Sequence, residues 1–445
     1  MVKVHEIQQI GVLGAGRSAG YLIEYLGGYC QSHGKTLKVY DQHFDRLKGS
    51  FDVLDSTELC EANLGDAAVL DAVISGLQLV VSVLPPTMHL AVAKACLKHG
   101  CHLFTASYTS SEMKSLGDEA EAKGLLFMNE LGLDPGIDHL SASRLFEQVH
   151  QKGFAIESFE SHCGGLVARE DCGENPWQYK FTWNPTNVVL AGQGGDSIWR
   201  EQGIEQHVAG MKIFASAKEI EVPGLGVFDV YPNRNSLIYE ALYGLQEAST
   251  LLRGTLRRKG YCEAWNELVE MGFTNSSELL NMDCAAAWFT HVSGFADTDA
   301  WLADLADRGK SHLCGYMSFL RLNEGLEGLE VHGKTSAQVF EQILLDRWAL
   351  GSDDKDEVVM VHRLGLVGQN GEKKVWYSVL QVLGEGGDRT AMAKTVGLPL
   401  AMGVETFLEG ESQGVGAVVP FEKSWYQPIL HKLENQGIVF REYLG

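Results

Sequence analysis

A chain of 445 residues, 45 % apolar and 21 % charged, carries enough material for a sizeable core and for about two to four domains. Its 58 acidic and 36 basic side chains leave a formal charge of −22. Such a surface repels phosphate backbones and anionic lipid, so nucleic acid and membrane are excluded as expected partners, and small acidic substrates are disfavoured unless cations gather in one place.

Residues 8–13 (QQIGVL) read as a short apolar strand, followed by Gly14-Ala15-Gly16-Arg17-Ser18-Ala19 and an apolar-periodic helix through Tyr21, Leu22, Tyr25 and Leu26. A second strand, 36–40, ends in Asp41. This strand, glycine turn, helix, strand and acid order is a dinucleotide-binding fingerprint. Gly14 permits the tight turn, Gly16 lets a pyrophosphate approach the backbone, and Ala19 allows close helix–strand packing; the helix N-terminus offers free N–H groups to phosphate. Arg17 and Ser18 lie in the same turn. Asp41 suits the ribose hydroxyls of NAD and repels a 2′-phosphate, which favours NAD, while Arg17 and Arg46 keep NADP open.

Alternation continues through a helix near 66–76, strand 79–84, helix 87–99, strand 102–107, helix 111–123 and strand 125–130. The order predicts an α/β protein whose first domain is a parallel, doubly wound sheet. Ligands bind beyond the carboxyl ends of such strands, which singles out Val83 and Leu84, Ser107 and Tyr108, and the loop 131–139. Cys96, His99, Cys101 and His102 match no common zinc spacing and read as structural. No apolar run approaches the ~18 residues of a membrane span. The N-terminus lacks signal-peptide features, and nine scattered cysteines do not resemble a disulfide framework, so a reducing cytoplasm is expected.

After about residue 138 the alternation stops. Segment 154–190 begins strand-like and turns polar and aromatic, 222–236 is rich in turn formers, and 237–252 and 261–273 read as helical. A mostly helical stretch spans 275–350. Two alternating runs, 357–366 and 374–382, flank an Asn-Gly, which predicts a hairpin. Helices at 390–408 and 423–436 complete the chain. The expected division is a Rossmann domain over 1–137, with 390–445 packing back on it. Residues 138–389 form a substrate and dimerisation domain with a mainly antiparallel sheet and a helical insertion around 262–350.

Several separated segments carry a resemblance: 129–139 (NELGLDPGIDH), 161–165 (SHCGG), 179–183 (YKFTW) with Pro185, 231–236 (YPNRNS), 251–260 (LLRGTLRRKG) and 395–402 (TVGLPLAM). In order and spacing the chain resembles the saccharopine reductases, the glutamate-forming saccharopine dehydrogenases, over essentially its whole length. The resemblance implies an NAD(P)-dependent enzyme that joins glutamate to 2-aminoadipate semialdehyde and reduces the imine to saccharopine, reversibly, as a homodimer. It places substrate contacts at Ser107, Tyr108, Asp134, Arg234, Thr255, Leu256 and Arg257. Tyr108, Asp134 and Cys163 are its titratable groups near the reacting carbon. Cofactor contacts fall on Gly14, Gly16, Arg17, Ser18, Ala19, Asp41, Val83, Leu84, Ser107, Leu133 and Trp183; no metal is implied.

Independent chemistry agrees for the arginines, since a guanidinium clamps a carboxylate through two parallel hydrogen bonds. Residues 231–260 also gather Arg234, Arg253, Arg257, Arg258 and Lys259 against Glu240 and Glu247, a local cationic stretch in an acidic chain. Asp138 reads as the cap of a helix starting at His139, with an Asp138–His139 base as the alternative. Lys180 and Trp183 are expected to line the interdomain cleft, or, for Trp183, the core. The chain departs from the family pattern at His162, Val167, Arg169 and Asn235, and at Asp41, where eukaryotic members carry a phosphate-friendly residue. Two other functions fit the same outline: a related imine reductase such as a carboxynorspermidine dehydrogenase, and a non-catalytic dinucleotide sensor.

Overall fold

Residues 4–47, 49–324, 326 and 328–445 are described by a computed structural model. Strands and helices alternate from the start: β1 Gln9–Leu13, α1 Gly20–Ser32, β2 Thr36–Asp41, β3 Thr57–Glu61, α2 Ala67–Ser75, β4 Leu79–Ser82 and α3 His89–His99. β5 His102–Thr105, the short α4 Ser111–Ser115 and α5 Gly117–Ala122, β6 Leu126–Met128 and α6 Ile137–Gln151 follow. Next come β7 Phe154–Val167, α7 Pro185–Val189, β8 Ser197–Glu201, β9 Ile204–Val208, β10 Lys218–Val222, β11 Gly226–Pro232 and α8 Glu240–Tyr243. β12 Thr250–Arg258 leads into five helices, α9 Tyr261–Met271, α10 Ala285–Ser293, α11 Thr298–Asp307, α12 Cys314–Leu320 and α13 Ser336–Arg347. The hairpin β13 Asp356–Gly368 and β14 Lys373–Leu383 precedes α14 Ala391–Leu408, β15 Gly416–Val418, α15 Lys423–Asn435 and β16 Phe440–Leu444.

Contacts divide the chain into two units, Met1–Phe154 with Gln381–Phe440, and Ala155–Leu380 with Arg441–Gly445. The first division therefore falls after Phe154, because α6 packs against α15 within the first unit.

In the first unit seven strands run in the order β15-β6-β5-β4-β1-β2-β3, every neighbouring pair parallel. β4 and β5 are buried at every position, as strands covered on both faces must be, and this is why LVVS and HLFT carry no polar alternation. Two strands of this seven-stranded sheet escaped the sequence reading. β3 (TELCE) is an edge strand with mostly exposed or half-exposed side chains, and β15 has only three residues. The helix expected over 111–123 is two short ones, broken where the Gly117 backbone lies against Ala417 of β15. α14 lies close on α1: a Cβ at Gly397 would stand 3.0 Å from the Leu22 nitrogen and the Ser18 carbonyl.

The second unit holds a nine-stranded mixed sheet, β10-β11-β12-β7-β13-β14-β16, with β8 joined to β12 and β9 to β8. β10–β11, β11–β12, β12–β8 and β8–β9 are antiparallel, in keeping with the mainly antiparallel expectation, and the central β12–β7 pair is parallel. The helix expected over 237–252 shrinks to a short turn and α8, and the chain has already entered β12 at Thr250. One face of the sheet is an aliphatic layer of Leu166, Val230, Leu256, Val359 and Val379. The helices build a separate aromatic core, in which Trp177, Tyr179, Trp265, Trp288, Trp301 and Trp348 are essentially inaccessible to solvent. The polar, aromatic stretch at 176–184 is thus a core strap without strand structure.

Candidate active site

The glycine turn is built as the fingerprint requires. Gly14 has φ +105, and a Cβ there would crowd the Val83 carbonyl at 3.3 Å; its own N–H donates to the Tyr40 carbonyl. At Gly16 a Cβ would meet nothing within 4 Å, so the backbone faces open space on the side where a pyrophosphate would approach. Arg17 is exposed, Ser18 half-buried and Ala19 buried beneath α1, which begins only at Gly20. Asp41, at the end of β2, accepts from the Ala15 N–H at 2.6 Å and the His43 N–H at 3.1 Å. Its carboxylate therefore belongs to the turn itself. Arg46 pairs with Asp388 at 2.9 Å. These residues fit a dinucleotide.

Beyond β4 and β5 the sheet ends in polar groups. The Val83 N–H extends the ladder to the Leu13 carbonyl, and Leu84 is half-buried before Pro85. His89, on the first turn of α3, bridges Ser82 Oγ (3.0 Å) and Ser107 Oγ (2.8 Å), with Thr105 Oγ1 at 3.3 Å. Burial pushes its imidazole down to about 4, so it is neutral near pH 7. The sequence reading missed this residue; its only signal was a histidine one helical step past the strand-ending prolines.

Ser107 opens a short loop whose next residue, Tyr108, donates from its hydroxyl to Asp134 Oδ1 at 2.9 Å. Asp134 stands half-buried in the loop after β6, between buried Leu133 and a cis bond to Pro135. Gly136 follows with φ +145, and α6 starts at Ile137. Asp138 is thus inside the helix rather than its cap. Its carboxylate reaches back to the Gly136 N–H at 2.6 Å, with His139 Nδ1 at 3.5 Å. Below the pair, buried Glu130 contacts His139 Nε2 at 3.0 Å and accepts from the Thr109 N–H at 2.9 Å. Burial opposes its charge, but His139 and the Thr109 N–H outweigh that and hold the carboxyl down to about 2.

In the second unit the register of β7, β12 and β11 sets Cys163, Thr255 and Tyr231 side by side on one sheet face. Arg253 and Arg257 share that face by their spacing of two. Leu256 points the other way into the aliphatic layer, so only its backbone is available on this side. Arg257 is buried: its guanidinium lies 5.1 Å from the Tyr179 ring and 5.5 Å from the Tyr261 ring, and it donates to the Leu256 carbonyl at 3.0 Å. Burial works against its charge, yet Tyr231, Tyr179 and Tyr261 raise its pKa overall. Arg234 is exposed at φ +55 in the turn after β11.

The rest of the cationic stretch is committed elsewhere. Arg258 forms a buried pair with Glu357, Lys259 an exposed one with Glu219, and Arg253 lies 4.4 Å from the Tyr239 ring. Lys180 pairs with Asp354 at 2.6 Å, and Trp183 packs half-buried on the aromatic core.

Each member of the Cys/His group has a structural partner or a core position. Cys96 is core, His99 bonds Asp71, Cys101 faces the Leu77 carbonyl, and His102 Nδ1 accepts from the Leu126 N–H. Among the described residues no group of three or more His, Cys, Asp or Glu side chains could hold a metal ion. Nor is any helix there long and apolar enough to cross a membrane. All nine cysteines are free thiols.

Comparison with known proteins agrees with this layout. The saccharopine dehydrogenase NADP binding domain matches residues 10–128, and the saccharopine dehydrogenase C-terminal domain matches residues 132–438. The rat mitochondrial alpha-aminoadipic semialdehyde synthase is 31 % identical over 97 % of this chain and 47 % of its own length. The Saccharomyces cerevisiae saccharopine dehydrogenase [NADP(+), L-glutamate-forming] is 31 % identical over 85 % of this chain and 86 % of its own. The solved apo structure of the L-Glu-forming saccharopine dehydrogenase from Saccharomyces cerevisiae superposes with a TM-score of 0.86 at 28 % identity, covering 98 % of this chain and all of that one. The chain spans about half the length of the synthases it matches. With the family's NADP binding and C-terminal domains matched in sequence order, the chain belongs to the saccharopine dehydrogenase family of oxidoreductases.

Proposed function

We propose that the chain catalyses the reversible, nicotinamide-dependent reductive condensation of glutamate with 2-aminoadipate semialdehyde to saccharopine. The observation that carries this reading is the Tyr108–Asp134 hydrogen bond beyond the carboxyl ends of the parallel strands, in a chain of this family. A bound dinucleotide would supply or accept the hydride. In the oxidative direction Asp134 takes the proton of the secondary ammonium and releases it to solvent before hydride leaves, so that its restored negative charge stabilises the cationic imine. Water then adds, and collapse of the carbinolamine releases glutamate and the semialdehyde. Tyr108 orients Asp134 and relays the adding water's proton to its carboxylate, which returns that proton to the nitrogen as the carbon–nitrogen bond breaks. Arg234 and Arg257 bind carboxylates, Thr255 contributes its hydroxyl, Leu256 its backbone, and Cys163 is the third titratable candidate beside Thr255.

Gly14, Gly16, Ser18 and Ala19 would hold the pyrophosphate and Asp41 the adenine ribose, with Val83, Leu84, Ser107 and Leu133 along the nicotinamide half; Trp183 is the cofactor candidate of the second unit. Asp41 supports NAD over NADP, because its carboxylate would oppose a 2′-phosphate. The NADP reading draws on the named relatives and on Arg17, close enough to Arg46 for the two charges to interact. A cytoplasmic homodimer completes the proposal, read by light scattering and by fractionation.

The test is purified protein with glutamate, the semialdehyde, and NADH or NADPH. Loss of absorbance at 340 nm, at higher kcat/KM with NADH, is the expected result. Turnover only with NADPH would overturn the Asp41 argument alone, and no turnover in either direction would overturn the function.

A further inference from the structure

Glu130 has an unusual position for a charged residue. It is a non-glycine residue in the left-handed region, φ +56, and its side chain is 6 % exposed. Both features carry a cost: a Cβ is crowded at positive φ, and a carboxylate loses hydration on burial. Strain of this kind persists where the surrounding structure over-determines it.

What surrounds Glu130 is the loop that bears Tyr108. Its backbone N–H donates to the Ser107 carbonyl at 3.1 Å, and its Oε1 accepts from the Thr109 N–H at 2.9 Å. One residue therefore grips the chain on both sides of Tyr108. Oε2 meets His139 Nε2 at 3.0 Å, and that wholly buried ring packs on Phe421 with centroids 4.8 Å apart. Asp134, the acceptor of the Tyr108 hydroxyl, lies on the stretch of chain between Glu130 and His139. Glu130 thus ties together both loops that make the Tyr108–Asp134 hydrogen bond, and α6 through His139.

We propose that Glu130 is the positioning residue of the Tyr108–Asp134 pair, fixing the phenol against the carboxylate by clamping Ser107 and Thr109 and anchoring that clamp on His139. This rests on the catalytic reading of the pair. Glu130 acts through the groups it holds in place. A buried carboxylate held by polar partners contributes little net stability against well-packed alternatives, so the value of this one lies in geometry, where a displacement of about 1 Å can cost roughly 100-fold in rate.

The experiment is a double-variant cycle on the full chain, with kcat and KM for saccharopine and the dinucleotide measured for Glu130→Gln, Tyr108→Phe, Asp134→Asn and Glu130→Gln with Tyr108→Phe. Glu130→Gln should lower kcat about tenfold or more, leave the dinucleotide KM within about twofold, and cost little further in the Tyr108→Phe background. If Tyr108→Phe and Asp134→Asn are slow but Glu130→Gln costs the same factor in both backgrounds, the positioning role alone is overturned. Wild-type rates for Tyr108→Phe and Asp134→Asn remove the catalytic reading, and the positioning role with it. Should Glu130→Gln not fold, the paired exchange Glu130→Gln with His139→Gln leaves no unmatched buried charge and enters the same cycle.

Discussion

At the residue scale, the buried titratable groups near the candidate site set how the protein responds to acid. His89 is held to about 4 by burial, against about 6.5 in an unfolded chain. Between those values the unfolded state binds the extra proton, so this contribution to stability is complete above about pH 6.5 and is lost as pH falls towards 4. His102, also held to about 4, titrates in the same window. Glu130 extends the loss lower. Its carboxyl is held to about 2, so its contribution is full above about pH 4.5 and declines as pH falls towards 2. Melting temperature should therefore drop across pH 6.5 to 4. His89→Gln, which keeps a bridge between Ser82 and Ser107 without titrating, should remove about half of that slope, each proton being worth at most about 1.4 kcal/mol per pH unit. An unchanged slope would mean that His89 is not neutral in the folded protein.

At the scale of elements, the two loops that matter are shaped by glycines with opposite surroundings. A Cβ at Gly136 would stand 2.1 Å from the Gly132 carbonyl oxygen, at a φ of +145 that side chains avoid, so Gly136→Ala should destabilise the first unit by about 2–4 kcal/mol and displace Asp134. Gly16 faces open space, so Gly16→Val should melt within about 1 °C of the parent without ligand, yet weaken dinucleotide binding roughly tenfold or more. Denaturation and fluorescence titration measure both. Equal dinucleotide affinity for Gly16→Val would place the pyrophosphate elsewhere.

The same contrast explains what the sequence disclosed. The glycine turn, β1, β2 and the Asn-Gly hairpin are local patterns, set by residues within one or two turns of each other, and they could be read directly. β12 could not: 237–252 looks helical by composition, and Thr250–Arg258 becomes a strand because β7 and β11 pair with it on either side. Arg257 was legible as a guanidinium in a cationic stretch, but its enclosure by Tyr179, Tyr231 and Tyr261 joins three separate segments. Glu130 was in plain view inside NELGLDPGIDH, and its role emerges only from the loop it grips.

At the scale of the whole molecule, the charge of −22 and the proposed tricarboxylate substrate pull in opposite directions. Much of the cationic stretch that first seemed to reconcile them is committed to internal partners: Arg258 to Glu357, Lys259 to Glu219, Arg253 to the face of Tyr239. Attraction at short range then rests on few groups, Arg234 and Arg257 among them, while repulsion comes from the entire surface. The two respond differently to salt. Surface charges more than about 10 Å away are largely screened at 0.1 M ionic strength, and a buried guanidinium such as Arg257 much less so. With the dinucleotide saturating, raising sodium chloride from about 10 to about 150 mM should therefore lower KM for saccharopine, roughly twofold, with kcat nearly constant. A KM that climbs with salt from the outset would show that exposed cations such as Arg234 dominate capture, and that the acidic surface does not reach the approaching substrate.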